Sequence, residues 1–191
     1  MKRILIAMIA VLAIAGTSFA FNNNDGPRWF LEFLNGLKEA PAIVSTTGHG
    51  TFRAIVSHDE TEIHYWLTFK ELEGDVRQAH IHIGHPQNMG GIVLWLCDSA
   101  TNNSPVATTP ECTENDPADL RNGWVKGTLT AADVQAQANN GIAAGEWDEV
   151  LALIRAGKTY VNVHSSTFGS GEIRSQIDNN GPSFHGGHSG H

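Results

Sequence analysis

Residues 79–84 read AHIHIG and residues 160–165 read YVNVHS. In both, apolar and polar side chains alternate with a period of two, which is the spacing of a β-strand. Ala79, Ile81 and Ile83 fall on one side of the first stretch, with His80 and His82 on the other. Val161 and Val163 oppose Asn162 and His164 in the second. A third stretch, residues 171–177 (GEIRSQI), separates Ile173 and Ile177 from Glu172, Arg174 and Gln176. Three strands written this way, apolar toward a core and carrying His, Asn, Glu and Arg on the opposite face, predict a mainly β domain.

The flanking sequence extends the pattern. Residues 29–37 place Trp29, Leu31 and Phe33 on one parity and read as a first strand, followed by a turn and a short extended piece over residues 41–47. Residues 50–57 set Phe52, Ala54 and Val56 against Thr51, Arg53 and Ile55. Residues 62–69 set Ile63, Tyr65, Leu67 and Phe69 against Glu62, His64, Trp66 and Thr68. The two are separated by Asp59 and Glu60 and read as a hairpin. Residues 92–97 (IVLWLC) are apolar throughout, as in a strand buried on both faces, and residues 123–129 form a further short strand. Two helical segments are then expected. The first opens at a capping box, Thr130 with Asp133, and runs through an alanine-rich stretch to residues 139–141. The second carries Trp147, Val150, Leu151 and Ile154 at helical spacing and ends at Gly157. Many short strands with turn signals between them give an antiparallel sandwich or barrel with a short helical insertion between late strands. No internal repeat is visible.

The chain has 191 residues, 41% hydrophobic and 17% charged, enough for one self-supporting domain. Residues 1–20 read as a secretory signal peptide: Lys2 and Arg3, then a dozen or so apolar residues, then Ser18 and Ala20 as small residues at the cut. Its removal takes the formal charge from −8 to −10 and predicts an exported protein, periplasmic or extracellular. No later segment is long and apolar enough for a stable membrane anchor. The acidic balance argues against a nucleic-acid binder, which would show a basic patch or stripe. An oxidising compartment makes Cys97 and Cys112 a disulfide pair, closing a Ser/Thr/Asn/Pro-rich loop and contributing about 3 kcal/mol. Residues 21–29 read as a loose N-terminal segment, residues 30–178 as the domain, and residues 179–191 as a flexible His/Gly-rich tail.

Three motifs resemble the CHRD domain, the module named for its repeats in chordin and also found singly in exported bacterial proteins. They are the segment containing LNGLKEAP, the AHIH of residues 79–82, and YVNVH with GEIR at residues 160–164 and 171–174. The first departs from the family's usual glycine, glutamate, valine, proline pattern by carrying Ala40 where valine is common. The resemblance implies an immunoglobulin-like or related β-sandwich and an extracellular, protein-binding setting.

Ten histidines are the unusual feature of the composition. His80 and His82, two apart on a strand, present both imidazoles on one face. His164 ends a second strand with the same parity. If those strands are neighbours, three imidazoles converge, a set suited to copper first and zinc as the alternative. The arrangement is similar to the copper site of copper/zinc superoxide dismutase, a Greek-key sandwich, with Arg174 in the place of its arginine. The enzyme's bridging histidine and zinc aspartate have no counterpart. His85 is a fourth candidate ligand, and His64 a further one. Asn162, Glu172 and Arg174 are expected to support the imidazoles from behind, or else to form with them a purely structural polar network. His185, His188 and His191 offer a second, flexible capture point for metal in the tail. His49 and His58 read as surface residues. No nucleophile, phosphate-loop or zinc-protease motif is present, so no catalytic residue is assigned. Trp66, Trp95, Trp124 and Trp147 read as core or sheet-face packing, since a carbohydrate platform requires several of them exposed on one face. Three functions follow in order: a metal-binding or metal-handling protein, a module that binds another exported protein, and a superoxide-dismutase-like enzyme.

Overall fold

The computed structural model describes residues 26, 28–99, 104–113 and 118–178. The expected leader and the tail histidines His185, His188 and His191 lie outside the described residues. Eight strands and one helix follow in the order β1 (Trp29–Asn35), β2 (His49–Val56), β3 (Ile63–Lys70), β4 (Val76–Ile83), β5 (Ile92–Asp98), β6 (Gly123–Leu129), α1 (Trp147–Arg155), β7 (Thr159–Ser165) and β8 (Ile173–Ile177). All pairings are antiparallel, and they join the strands into one sheet in the order β5-β4-β7-β8-β1-β2-β3-β6.

The sheet is continuous but not uniform. β1 and β8 meet at a single register pair, Asn35 with Arg174. On either side of this seam stand two four-stranded halves, β5-β4-β7-β8 and β1-β2-β3-β6, which share one apolar core. The alternating apolar parities of β2, β3, β4, β7 and β8 all point into it, as their sequences predict. The Tyr65 hydroxyl of β3 crosses the core to donate to the Leu96 carbonyl of β5 at 2.5 Å. The expected sandwich is thus one sheet folded over on itself and nearly closed into a barrel, with β5 and β6 returning toward each other.

The helical insertion is shorter than its sequence suggests. The capping box of Thr130 and Asp133 forms, but it caps only a single turn of 3-10 helix, Ala131–Asp133. Residues 134–137 then run extended, and a second 3-10 turn follows at Ala138–Asn140. The Gln135 amide donates to the Val93 carbonyl and Gln137 pairs with Ile142, while Val134 is buried in the core. A helix of this length is marginal in water even when rich in alanine, so strand-like bonds to β5 outweigh its propensity. α1 forms as expected, burying Trp147, Val150, Leu151 and Ile154, with Gly157 beyond its end at a φ of 66°.

Cys97 and Cys112 are bonded, as the sequence predicts, and both are fully buried at the end of β5. Replacing both by alanine is expected to lower the unfolding free energy by about 3 kcal/mol, from the loop length alone. Urea unfolding of the double variant measures it.

Candidate metal centre

Because β4 and β7 are neighbours, the polar parities of β4, β7 and β8 fall into lateral rows. His80 stands opposite Asn162, which stands opposite Arg174. His82 stands opposite Tyr160, which stands opposite Gln176. His164 lies one row further along, beside Gln78. A sheet face of this composition is expected to be wet. Here it is roofed: every residue of β7 is buried on both faces. The roof comes from residues 84–91, residues 166–171 and the segment that follows β1.

Roof carbonyls hold the imidazoles. Nδ1–H of His82 donates to the Gly90 carbonyl at 2.9 Å, and Nδ1–H of His164 donates to the Gly169 carbonyl at 3.0 Å. A carbonyl can only accept, so both rings carry their proton on Nδ1 and leave Nε2 unprotonated. His80 Nδ1 lies 3.2 Å from His164 Nε2, and the Asn162 amide lies 3.1 Å from the same nitrogen. Nε2 of His80 and of His82 are buried with no hydrogen-bond partner. One ring nitrogen from each of the three histidines lies within 4.8 Å of the other two. Two nitrogens on one ion at about 2.0–2.1 Å and a tetrahedral angle stand about 3.3 Å apart, close to the separation of His80 Nδ1 and His164 Nε2, so His80 would ligate through Nδ1 and not through its unpartnered Nε2. The donor set therefore fits a transition metal.

The three rings are 0%, 7% and 6% exposed for His80, His82 and His164. Burial holds all three in the neutral form that a metal needs, and His164 disfavours charge on His80 and His82. His80 is pushed down to about 2 and His82 to about 4, while His164 is lowered, in each case chiefly by desolvation. The Trp95 ring stands edge-on to His80 with centroids 4.2 Å apart.

Behind His82 runs a stack. The His82 and Tyr160 rings are parallel within 1°, with centroids 4.8 Å apart. The Arg174 guanidinium carbon sits 3.4 Å from the Tyr160 centroid. Nη2 of Arg174 donates to the carbonyls of His85 and Asn88, both at 2.9 Å. Gln176 donates to Gly84 in the same loop, and the Gly90 amide donates to the Tyr160 hydroxyl. β7 and β8 thus fasten the loop whose Gly90 carbonyl orients His82.

The structure brings together His80, His82 and His164, with Asn162 against His164. His85 and His64 are not in the group: both rings are exposed, and His85 contributes only its carbonyl, to Arg174. Glu172 lies on the same face but is otherwise engaged. Its Oε1 accepts from the Thr46 hydroxyl and the Glu73 amide, both at 2.7 Å. Arg174, 1% exposed and tied to two carbonyls, serves as a fastener; no solvent-facing guanidinium is left to steer an anion.

Sequence reasoning gave no role to Tyr160 or to Glu39. Glu39 belongs to the LNGLKEAP motif, which its topology carries to the seam beside Arg174 and Asn162. Its buried Oε1 has no partner, and burial pushes its carboxyl up to about 7 against the pull of Arg174. A groove of about 880 Å³ runs along the seam past Glu32, Lys38, Glu39 and Arg174, and none of the three histidines lines it. The imidazoles meet beneath the surface.

Gly171 packs these motifs together. Its φ is 130°, and a Cβ there would lie 2.7 Å from Glu39 Oε1 and 2.8 Å from Asn162 Nδ2. Gly171→Ala is expected to cost about 1–3 kcal/mol in backbone strain alone and to loosen Asn162 from His164. Chemical denaturation and the imidazole NMR signals report the two effects separately.

No curated protein and no solved structure matches the chain. The CHRD domain matches residues 31–177, a span from within β1 to the end of β8. It takes in all three histidines, Glu39 and Arg174, and by that match the chain belongs to the CHRD domain family.

Proposed function

We propose that this CHRD-domain protein is exported and binds a transition metal, copper first and zinc second, through His80, His82 and His164. The observation that carries the reading is the convergence of three buried imidazoles, two of them with an unpartnered Nε2. A buried polar atom without a partner is costly, and a metal ion is what three neutral imidazoles satisfy together. The group contains no thiolate or carboxylate, and all-imidazole sets suit copper, zinc and nickel, with copper heading the divalent affinity order. A bound ion would supply Lewis acidity and, for copper, one-electron chemistry. The chain supplies tautomers fixed by Gly90 and Gly169, and a roof that keeps water out.

Metal analysis of untagged protein is expected to find one tightly held ion per chain. The triple variant His80→Ala/His82→Ala/His164→Ala is expected to lose it, and deletion of residues 179–191 to keep it. Unchanged stoichiometry in the triple variant would sink the core site. Loss on tail deletion alone would assign binding to His185, His188 and His191. Export is tested by the N-terminus of protein recovered outside the cytoplasm, expected at Phe21.

A second reading, a protein-binding module in which the same residues are structural, is supported by the fastening of residues 84–91 through Arg174 and Gln176. Under it the triple variant loses stability but changes no metal content.

A further inference from the structure

The half-sheet β1-β2-β3-β6 turns its second face away from the core, and the character of that face differs from the rest of the molecule. Trp29, Phe33 and Trp66 stand on it at 74%, 58% and 47% exposure. The register places Trp66 between Arg53 of β2 and Lys126 of β6. The Trp66 and Trp124 rings lie 5.3 Å apart, and the Lys126 ammonium sits 5.6 Å and 5.8 Å from their centroids. Beside them the Thr51 and Thr68 hydroxyls are bonded at 2.7 Å.

The chain carries 20 carboxylates against 12 Lys and Arg. Yet none of the residues that β1, β2, β3 and β6 direct to this face is Asp or Glu, whereas Arg53, Lys70 and Lys126 are directed there. Aromatic rings, hydroxyls and cations are thus gathered on one sheet face in an otherwise acidic protein.

We propose that this face binds an anionic polysaccharide, a chain of sugar rings bearing carboxylates. A pyranose ring has an apolar C–H face that stacks on an indole. Its hydroxyls meet the threonines, and its carboxylates meet Arg53 and Lys126; the Glu62 carboxylate lies at the edge of the face, 3.5 Å from His64 Nε2. A lipid surface is the competing occupant for Trp29 and Phe33, but Trp66 and Trp124 are packed against each other and under a lysine and do not stand out to insert. Single-stranded nucleic acid shares the stacking and the charge, but export places the protein among polysaccharides. The proposal uses export from the functional reading above and is independent of the metal.

Calorimetric titration with polygalacturonate tests it, with hydroxyethyl cellulose, an oligothymidylate and phosphatidylglycerol vesicles as comparisons. Binding to polygalacturonate is expected to weaken with salt and to exceed that of all three others. Trp66→Ala and the fully surface-borne Trp29→Ala are each expected to weaken it about fivefold or more. Arg53→Gln/Lys126→Gln is expected to flatten the salt dependence. The triple histidine variant is expected to bind as well as the parent, which separates this site from the metal centre. Absence of binding, equal binding by the folded tryptophan variants, or tighter binding to the oligonucleotide or vesicles overturns the proposal.

Discussion

Arg174→Met is expected to lower the unfolding free energy by about 3–5 kcal/mol, the cost of breaking a buried charge network by removing one partner. The substitution removes the stack on Tyr160 and both bonds to the loop carbonyls of His85 and Asn88. It also leaves Glu39 buried without the cation that pulls its carboxyl down. Methionine approximates the length of the side chain, so the loss is one of charge and donors more than of volume. The damage should reach the imidazoles although Arg174 touches none of them: a released loop over residues 84–91 frees the Gly90 carbonyl from His82. Metal affinity should therefore fall along with stability. Arg174→Lys restores the charge but not the planar fork and should recover only part of either. A loss below about 1 kcal/mol in urea unfolding, the scale of an ordinary exposed pair, would show that the guanidinium is no fastener.

The second large effect is a cancellation in the pH dependence of stability. Glu32 and Glu39 are each raised from 4.5 to about 7, burial being the main cause. A raised carboxyl holds its proton better in the folded chain, so its contribution is full below 4.5 and disappears as pH rises through 7. Between pH 6 and pH 8 each group loses about 1.4 kcal/mol, or nearly 3 for the pair. The three buried histidines act in the opposite sense. Their ordinary value is 6.5 and burial lowers each of them, so the unfolded chain takes up protons that the folded chain refuses. Over the same range His80 and His82 together add about 2 kcal/mol as pH rises, and His164 acts in the same sense. Metal-free protein should therefore be nearly indifferent to pH between 6 and 8, and should lose stability below 4.5, where both glutamates are protonated in the folded and the unfolded chain alike while His80 still refuses its proton. Glu32→Gln/Glu39→Gln should unmask a rise of about 2 kcal/mol or more from pH 6 to 8, and the triple histidine variant a fall of nearly 3 kcal/mol. A parallel pH response in all three proteins would refute the assignment.

The part of this site legible in the sequence is the part written in side chains at period two. The parity of AHIH and YVNVH placed His80, His82 and His164 on one face, and the pairing of β4 with β7 did the rest. What the sequence conceals is mostly backbone. The carbonyls of Gly90 and Gly169, which set the tautomers of His82 and His164, carry no residue signature. The roof over the polar face is invisible to an alternation rule, which reads polar parity as solvent-facing. Glu39 arrives from more than 120 residues away in sequence, through the β1–β8 seam, and nothing local marks it. The alanine-rich segment after Thr130 misleads for the same reason: its partners are the distant Val93 and the bridge to Ile142, and no propensity scale contains them. In β1 the parity of Trp29, Leu31 and Phe33 is legible but its direction is not: these bulky apolar residues face outward, and Phe30 and Leu34 fill the core.

The seam between β1 and β8 has one more consequence. The Asp178 amide donates to Glu32 Oε1 at 3.0 Å, so the polypeptide enters and leaves the domain at one place. A unit with adjoining ends is a plug-in: it can be threaded into a surface loop of another protein, or strung in series on short tethers, without pulling on its fold. Cutting the chain elsewhere and joining residue 178 to residue 29 through a few glycines should yield a circular permutant that still folds.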